Sequence, residues 1–451
     1  AAVVEAEAVF DAVYFMDMSK NVQDRPVPSE LVGSRVDVFS LNGGIRKPLP
    51  SGGQLTTRLN ISRTSTDNQF QLIDPVYTSD FVAELAHPLL RNSGLDFNRS
   101  LISVARNDLR ISRQAFKRQV RDILFATEEA YWRLVQTRRE VLIQARLLSE
   151  FERTYDYLWQ RRDFDVYQIQ LSQTRAELER SRADFIRVVN QVYDAQDVLL
   201  AIMNDPTLNL VDEVELIPSA FPSAGPLEID RVAAVREALE NRTEVIEARL
   251  RIENAGLVVG RAKNQAMPRL DLLFRYTVNG LGVDADAAFS QVTQSDFMDY
   301  FVALDFELPM GNRSRKAAWR RARLRHAQAI ATLKAQIENV VLDVNTSVRA
   351  IRTAYDRIEP SLRSAEANEE QVASTIARQE RKDFSALNQE LNARRALAGS
   401  RSALLADLVE YNIAIIAFER AKETLLNYNS IVLAGEDQGG GSVEVLPDTP
   451  E

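Results

Sequence analysis

From Asp96 to Gln160 the chain runs for 65 residues without a Pro or a Gly. Apolar side chains recur through that stretch at Ala105, Leu109, Phe116, Val120, Ile123, Leu134, Leu142, Ala145 and Leu148. Steps of three, four and their sums put one apolar stripe along a helix. At 1.5 Å per residue such a helix extends for roughly 100 Å. A second stretch of the same kind spans 315–379 and is interrupted only by Pro360. Helices of that length cannot wrap one compact core, and need partner helices in a coiled-coil arrangement.

Between the long helices the period changes from about 3.6 to two, in four places. Leu55, Thr57, Leu59 and Ile61 alternate with Gln54, Thr56, Arg58, Asn60 and Ser62. Phe81, Ala83 and Leu85 alternate with Asp80 and Glu84. Leu270, Leu272, Phe274, Tyr276 and Val278 alternate with Asp271, Arg275, Thr277 and Asn279. Met298, Tyr300, Val302, Leu304, Phe306 and Leu308 alternate with Asp299, Asp305 and Glu307. Each reads as a strand with one apolar and one polar face. The connections 62–77 and 280–295 are long and polar, whereas the other strand ends run into helices.

Composition removes several classes of function. The chain has no Cys and only two His, His87 and His326, so a zinc site or a Cys nucleophile is excluded and a His-based triad disfavoured. No catalytic constellation emerges, and no enzyme, cofactor or metal is expected. A net charge of −9 argues against nucleic acid as a partner. No uncharged apolar run reaches the length of a membrane-spanning helix.

The chain is internally repeated. Arg161-Arg162-Asp163-Phe164 returns as Arg381-Lys382-Asp383-Phe384, and Pro88 and Pro309 each close a strand. Aligning on the prolines pairs Phe81 with Val302 and Leu85 with Phe306 across the repeats. A one-residue slip would put Phe81 against Phe301 and flip every side chain. The first repeat is assigned to 1–220 (helix stub, strand pair, long hairpin) and the second to 221–435 (helix, strand pair, long hairpin). The acidic Gly-rich remainder, 436–451, reads as a disordered tail. The amphipathic opening at Ala1 reads as the cut end of a helix. The irregular stretch from Asn204 to Leu227 is expected to form a belt across the helices, and 229–263 a further helix.

Four strands per chain leave two open edges and an apolar face. Lipid resolves this if several copies close one barrel, apolar outside and polar inside. Two chains would supply eight strands and three would supply twelve. A lumen would then be lined by Asp80, Glu84, Asp271, Arg275, Asp299, Asp305 and Glu307.

This order of elements resembles the TolC-type outer-membrane efflux proteins. Local matches are Asn241-Arg242-Thr243-Glu244, the run from Ala262 to Leu272 entering the third strand, Pro309-Met310-Gly311-Asn312-Arg313 and Pro88-Leu89-Leu90-Arg91. The resemblance spans nearly all of 1–435. It implies an α+β membrane protein, with long antiparallel helical hairpins building an α-barrel. It also implies a homotrimer whose four transmembrane β-strands per chain make a twelve-stranded barrel in the bacterial outer membrane, extending into the periplasm. The implied role is the exit duct of a tripartite efflux pump or type I secretion system, exporting small molecules or polypeptides. Its implied partners are a periplasmic adaptor (membrane fusion) protein, an inner-membrane pump and outer-membrane lipid. A periplasmic adaptor itself, or a coiled-coil scaffold, is the alternative; neither explains two amphipathic strand pairs. At the hairpin tips, where a Gly is common in the family, Asp163 and Asp383 stand instead. The tip residues Arg161, Arg162, Asp163, Phe164 and Asp165, with Arg381, Lys382, Asp383, Phe384 and Glu390, are therefore candidates for a gate and adaptor-docking ring. Phe164 and Phe384 are expected to tuck against the hairpins, leaving Arg and Asp free to pair.

Overall fold

The computed structural model describes residues 2–27, 33–164, 166–205, 207–208, 214–377 and 384–432. In chain order the elements are α1 (Ala2–Ala8), β1 (Val13–Asp24), β2 (Arg35–Pro48), β3 (Gln54–Thr66), β4 (Val76–Pro88), α2 (Leu95–Gln160), α3 (Gln168–Met203), α4 (Arg231–Asn241), α5 (Thr243–Gln265), β5 (Arg269–Gly282), α6 (Ala285–Gln294), β6 (Phe297–Glu307), α7 (Arg313–Ala377), α8 (Phe384–Lys422) and α9 (Leu425–Tyr428). They divide into two compact units, Ala1–Arg113 with Glu247–Leu333, and Gln114–Ile246 with Lys334–Glu451.

The first unit holds one antiparallel sheet in the order β1-β2-β3-β4-β5-β6. Among the described residues the sheet therefore has six strands, not four. The four alternating segments are β3 to β6, and β1–β2 is an additional hairpin ahead of them. The helix at the N-terminus is present but short: α1 ends at Ala8, and Val13-Tyr14-Phe15 begins a strand rather than continuing the helix. Aromatic and β-branched side chains suit a pleated, half-buried surface better than a helix. The helix expected over 229–263 is also two helices. At Arg242 the backbone leaves the helix (φ −58°, ψ 122°), and the Arg242 side chain donates to the Ala421 carbonyl at 3.2 Å.

Residues directly opposite one another in a ladder share a face. The register joins Leu55↔Leu85, Leu85↔Phe274 and Phe274↔Val302, and likewise Leu59↔Phe81, Phe81↔Val278 and Val278↔Met298. All the alternating apolar residues thus lie on one face, with Tyr14, Met16, Met18, Leu41 and Ile45 of the added hairpin. Phe301 falls on the opposite face, so the proline alignment of the repeats gives the correct parity.

Near the β5–β6 connection α6 lies on the apolar face. Asp284 caps it by accepting from the Ala287 amide at 2.8 Å. A Cβ added at Gly280 would meet the Ala288 carbonyl oxygen at 2.0 Å, so only Gly permits this approach. Val278 and Ser79 are buried beneath the helix.

The second unit is helical. Leu147, Phe151 and Leu158 of α2 pack with Leu171 and Leu178 of α3 and Leu387, Leu391 and Ala398 of α8. The irregular segment after α3 lies across α2, α3 and α8, held by side chains rather than by a ladder. Gln196 donates to the Val214 carbonyl at 2.5 Å, the Ala220 amide donates to the Tyr131 hydroxyl at 3.0 Å, and Tyr411 donates to the Gly225 carbonyl at 2.6 Å. Asn412 both accepts from the Ser223 amide (3.1 Å) and donates to its carbonyl (3.0 Å). A segment without secondary structure must find such partners for its backbone polar groups.

Candidate functional site

Every residue expected to line a lumen lies on the polar face of the sheet. Asp80 stands opposite Asn60 and Asn279, Glu84 opposite Thr56 and Arg275, and Asp271 opposite Asp305. Cross-strand hydrogen bonds tie the rows together. Asn60 donates to Asp80 at 3.4 Å, Arg275 donates to Glu84 at 2.7 Å, and Asn279 donates to Asp299 at 2.6 Å. The hydroxyl pairs Ser62–Thr78 (2.7 Å) and Ser19–Ser40 (2.8 Å) continue one row across the outer strands. At the end where β4 and β6 lead into helices, Arg269 is within 2.6 Å of Asp271, 3.2 Å of Asp305 and 3.7 Å of Glu307.

The added hairpin contributes Asp17, Asn42 and Arg46 to this face, which the periodicity of the other strands could not reveal. Seven acidic side chains (Asp17, Asp80, Glu84, Asp271, Asp299, Asp305, Glu307) then face four basic ones (Arg46, Arg58, Arg269, Arg275). The opposite face carries its charges only near the strand ends, as in the Lys20–Asp37 pair (3.4 Å). An uncharged band bounded by charges, backed by a hydrogen-bonded polar face, is the pattern of a wall between lipid and water.

The first hairpin tip is a turn over 161–164, closed by the Phe164 amide donating to the Arg161 carbonyl at 3.0 Å. Phe164 is 87% exposed, against the expectation that it tucks into the hairpin. Arg162 instead stacks on Trp159 (4.5 Å) and Arg161 on Tyr157 (5.4 Å), aromatic residues of α2 itself. The rings of Tyr157 and Trp159 thus take guanidinium groups rather than the phenyl ring. Asp163 remains exposed and lies 3.5 Å from Arg162. Asp165, Arg381, Lys382 and Asp383, like the tail 436–451, lie outside the described residues, and Phe384 opens α8. Glu390 is buried and accepts from Arg394 at 2.6 Å, while Arg394 also reaches Glu150 at 3.0 Å.

The Asn241-Arg242-Thr243-Glu244 motif marks a buried ion network in the second unit. The Arg121 side chain, 4% exposed, contacts Glu423, Asp122 (3.0 Å) and Glu244 (3.7 Å). Arg242 reaches Glu244 at 2.9 Å and Asp343 at 3.3 Å. Burial pushes the Glu423 carboxyl above its ordinary value, and Arg121 only partly offsets this. Burial acts on Glu244 in the same direction, but Arg242, its own backbone amide and Arg121 hold it below the ordinary value.

Residues 234–421 match the model of the outer membrane efflux protein family. The chain carries an outer membrane efflux protein domain. That domain accounts for β5, β6 and the helices that flank them, and it gives the protein a bacterial outer-membrane location. The whole chain is similar in fold to a membrane protein from Pseudomonas aeruginosa (16% identity, 93% of this chain and 86% of that one, TM-score 0.68). It is similar also to the outer-membrane channel OprN (16% identity, 94% and 83%, TM-score 0.67). The CmeC outer membrane channel of Campylobacter jejuni aligns at 12% identity over 94% and 80%, with a TM-score of 0.64. No curated protein sequence matches the chain significantly. The outer membrane efflux protein family is one of channel proteins.

Proposed function

We propose that this protein is the exit duct of a tripartite efflux pump or type I secretion system, a passive homotrimeric channel for small molecules or polypeptides. The observation that carries the reading is the sheet: an apolar face, a hydrogen-bonded acidic face, and two outer edges beside which no strand lies among the described residues. In hydrocarbon an open edge has no water to satisfy it, so copies of the chain must close a barrel. The polar face then lines the lumen, and the helical hairpins carry the duct into the periplasm. A periplasmic adaptor bound to an inner-membrane pump docks at the hairpin tips, where Phe164 offers an exposed apolar knob beside Asp163. The tip residues 161–165 and 381–384 form the gate. Purification from outer membranes should need detergent, yield a mass of three chains, and give ion-conducting channels in planar bilayers. A monomer that stays in solution without detergent would overturn the duct.

A further inference from the structure

The added hairpin changes the barrel itself. β1 and β2, like β3 and β4, lie outside the residues that match the family model. They are nonetheless integral to the sheet. The β2/β3 seam is continuous from Val36↔Thr66 to Pro48↔Gln54, longer than the β3/β4 seam from Gln54↔Ala86 to Thr64↔Val76. Closing a barrel on β3 would require that whole seam to separate. The sheet edges are therefore β1 and β6, of 12 and 11 residues.

These two edges fit one another. β1 starts at the end of the sheet where β2 turns into β3, and β6 finishes at that same end, where Glu307 pairs with Arg269. β6 of one copy is thus antiparallel to β1 of another, because an even number of strands preserves the alternation. Their faces agree as well: Tyr14, Met16 and Met18 lie on the same face as Tyr300, Val302 and Leu304. Those side chains are the exposed ones, with Met18 at 71% and Leu304 at 65%. Backbone pairing along such an edge is how strands are added to sheets.

We propose that copies of this chain join β6 to β1, and that the trimeric barrel has eighteen strands, three copies of six, rather than twelve. The strand count rests on the trimeric duct proposed above; the β6–β1 seam does not. Barrel diameter grows roughly linearly with strand number, so this barrel would be about 1.5 times as wide as a twelve-stranded one. Each copy adds Asp17, Ser19, Asn42 and Arg46 to the wall.

The absence of Cys makes the seam testable by disulfide trapping in intact outer membranes. Met16→Cys or Met18→Cys on β1 would be combined in turn with Met298→Cys, Tyr300→Cys, Val302→Cys and Leu304→Cys on β6. A second set would pair Leu59→Cys or Ile61→Cys on β3 with the same β6 positions. Heat-shifted gel mobility identifies the variants that have folded and inserted. The β1 set should give a covalent ladder ending at three chains and the β3 set none. A ladder from β3, or none from β1 among inserted variants, would overturn the seam. A β1 ladder ending at two chains, with a two-chain native mass, would keep the seam but overturn both the eighteen strands and the trimer.

Discussion

At the scale of single residues, the register turns parity into energies. Phe274 lies on the apolar face between Leu85 and Val302, while Thr277 faces the polar side between Val82 and Asp299. Phe274→Arg should cost ~2–4 kcal/mol in the membrane-inserted protein, whereas Thr277→Arg, beside a carboxylate, should cost well under half of that. Urea titrations in lipid vesicles measure both, and equal costs would reverse the faces. In the second unit Arg121 holds Asp122, Glu244 and Glu423 together. Arg121→Ala strands buried carboxylates and should lower stability by about 3–5 kcal/mol, read from denaturant midpoints. Glu423 titrates above its ordinary value, so the folded state binds its proton more tightly than the unfolded state does. Between the ordinary value and the raised one, this group makes stability fall as pH rises. Glu244 acts oppositely, with stability lost as pH falls below the ordinary value. Glu423→Gln should flatten the first slope and leave the second; an unchanged slope above the ordinary carboxylate range would remove Glu423 from this account.

At the scale of elements, α6 is the least obvious piece from the sequence. Its residues Ala285–Gln294 read as a polar loop, yet Gly280, Gly282 and Ala288 allow it to lie flat on β5. Gly280→Val should push α6 off the sheet and speed amide exchange over 285–294 at least tenfold; unchanged protection would show that the helix is held elsewhere. The long helices were legible almost to the residue, 96–160 against Leu95–Gln160 and 315–379 against Arg313–Ala377. Long periodic stripes are dominated by local geometry, which sequence records directly. The β1–β2 hairpin was not legible, because its alternation is broken. β2 puts Asp37, Gly43 and Lys47 on the apolar face and Val36 and Val38 on the polar one. Its partners in β1 and β3, not its own pattern, make it a strand.

At the scale of the whole molecule, charge rather than shape gives the sharpest expectation. The polar face carries seven acidic and four basic side chains per chain, and the proposed barrel would multiply that excess around one lumen. Fixed charge of one sign in a water-filled pore concentrates ions of the other. Reconstituted channels under a potassium chloride gradient should therefore show a cation-selective reversal potential. Replacing Asp80 and Asp299 with Asn should move that potential toward zero, and anion selectivity in the parent protein would sink the assignment of this face to the lumen. That the seven residues expected at a lumen share the polar face was legible, because period-two alternation fixes a face once a strand is recognised. Phe164 was not: whether a ring at a turn is covered depends on what else occupies the hairpin surface, and here Arg161 and Arg162 occupy it.

Local periodicity, then, determined the long helices, the strands β3 to β6 and which face of those strands is apolar. These follow from side-chain spacing along a regular backbone, a property of neighbours in sequence. Tertiary structure alone decided the number of strands, the seat of α6 on β5, the pinning of the segment after α3 by Tyr131, Gln196, Tyr411 and Asn412, and the convergence of Arg121, Arg242, Glu244 and Glu423. The seat of α6 depends on the close packing that Gly280 and Gly282 permit, and the others on hydrogen bonds or ion pairs between residues far apart in the chain; no local pattern encodes which distant partner a backbone amide or a buried charge will meet.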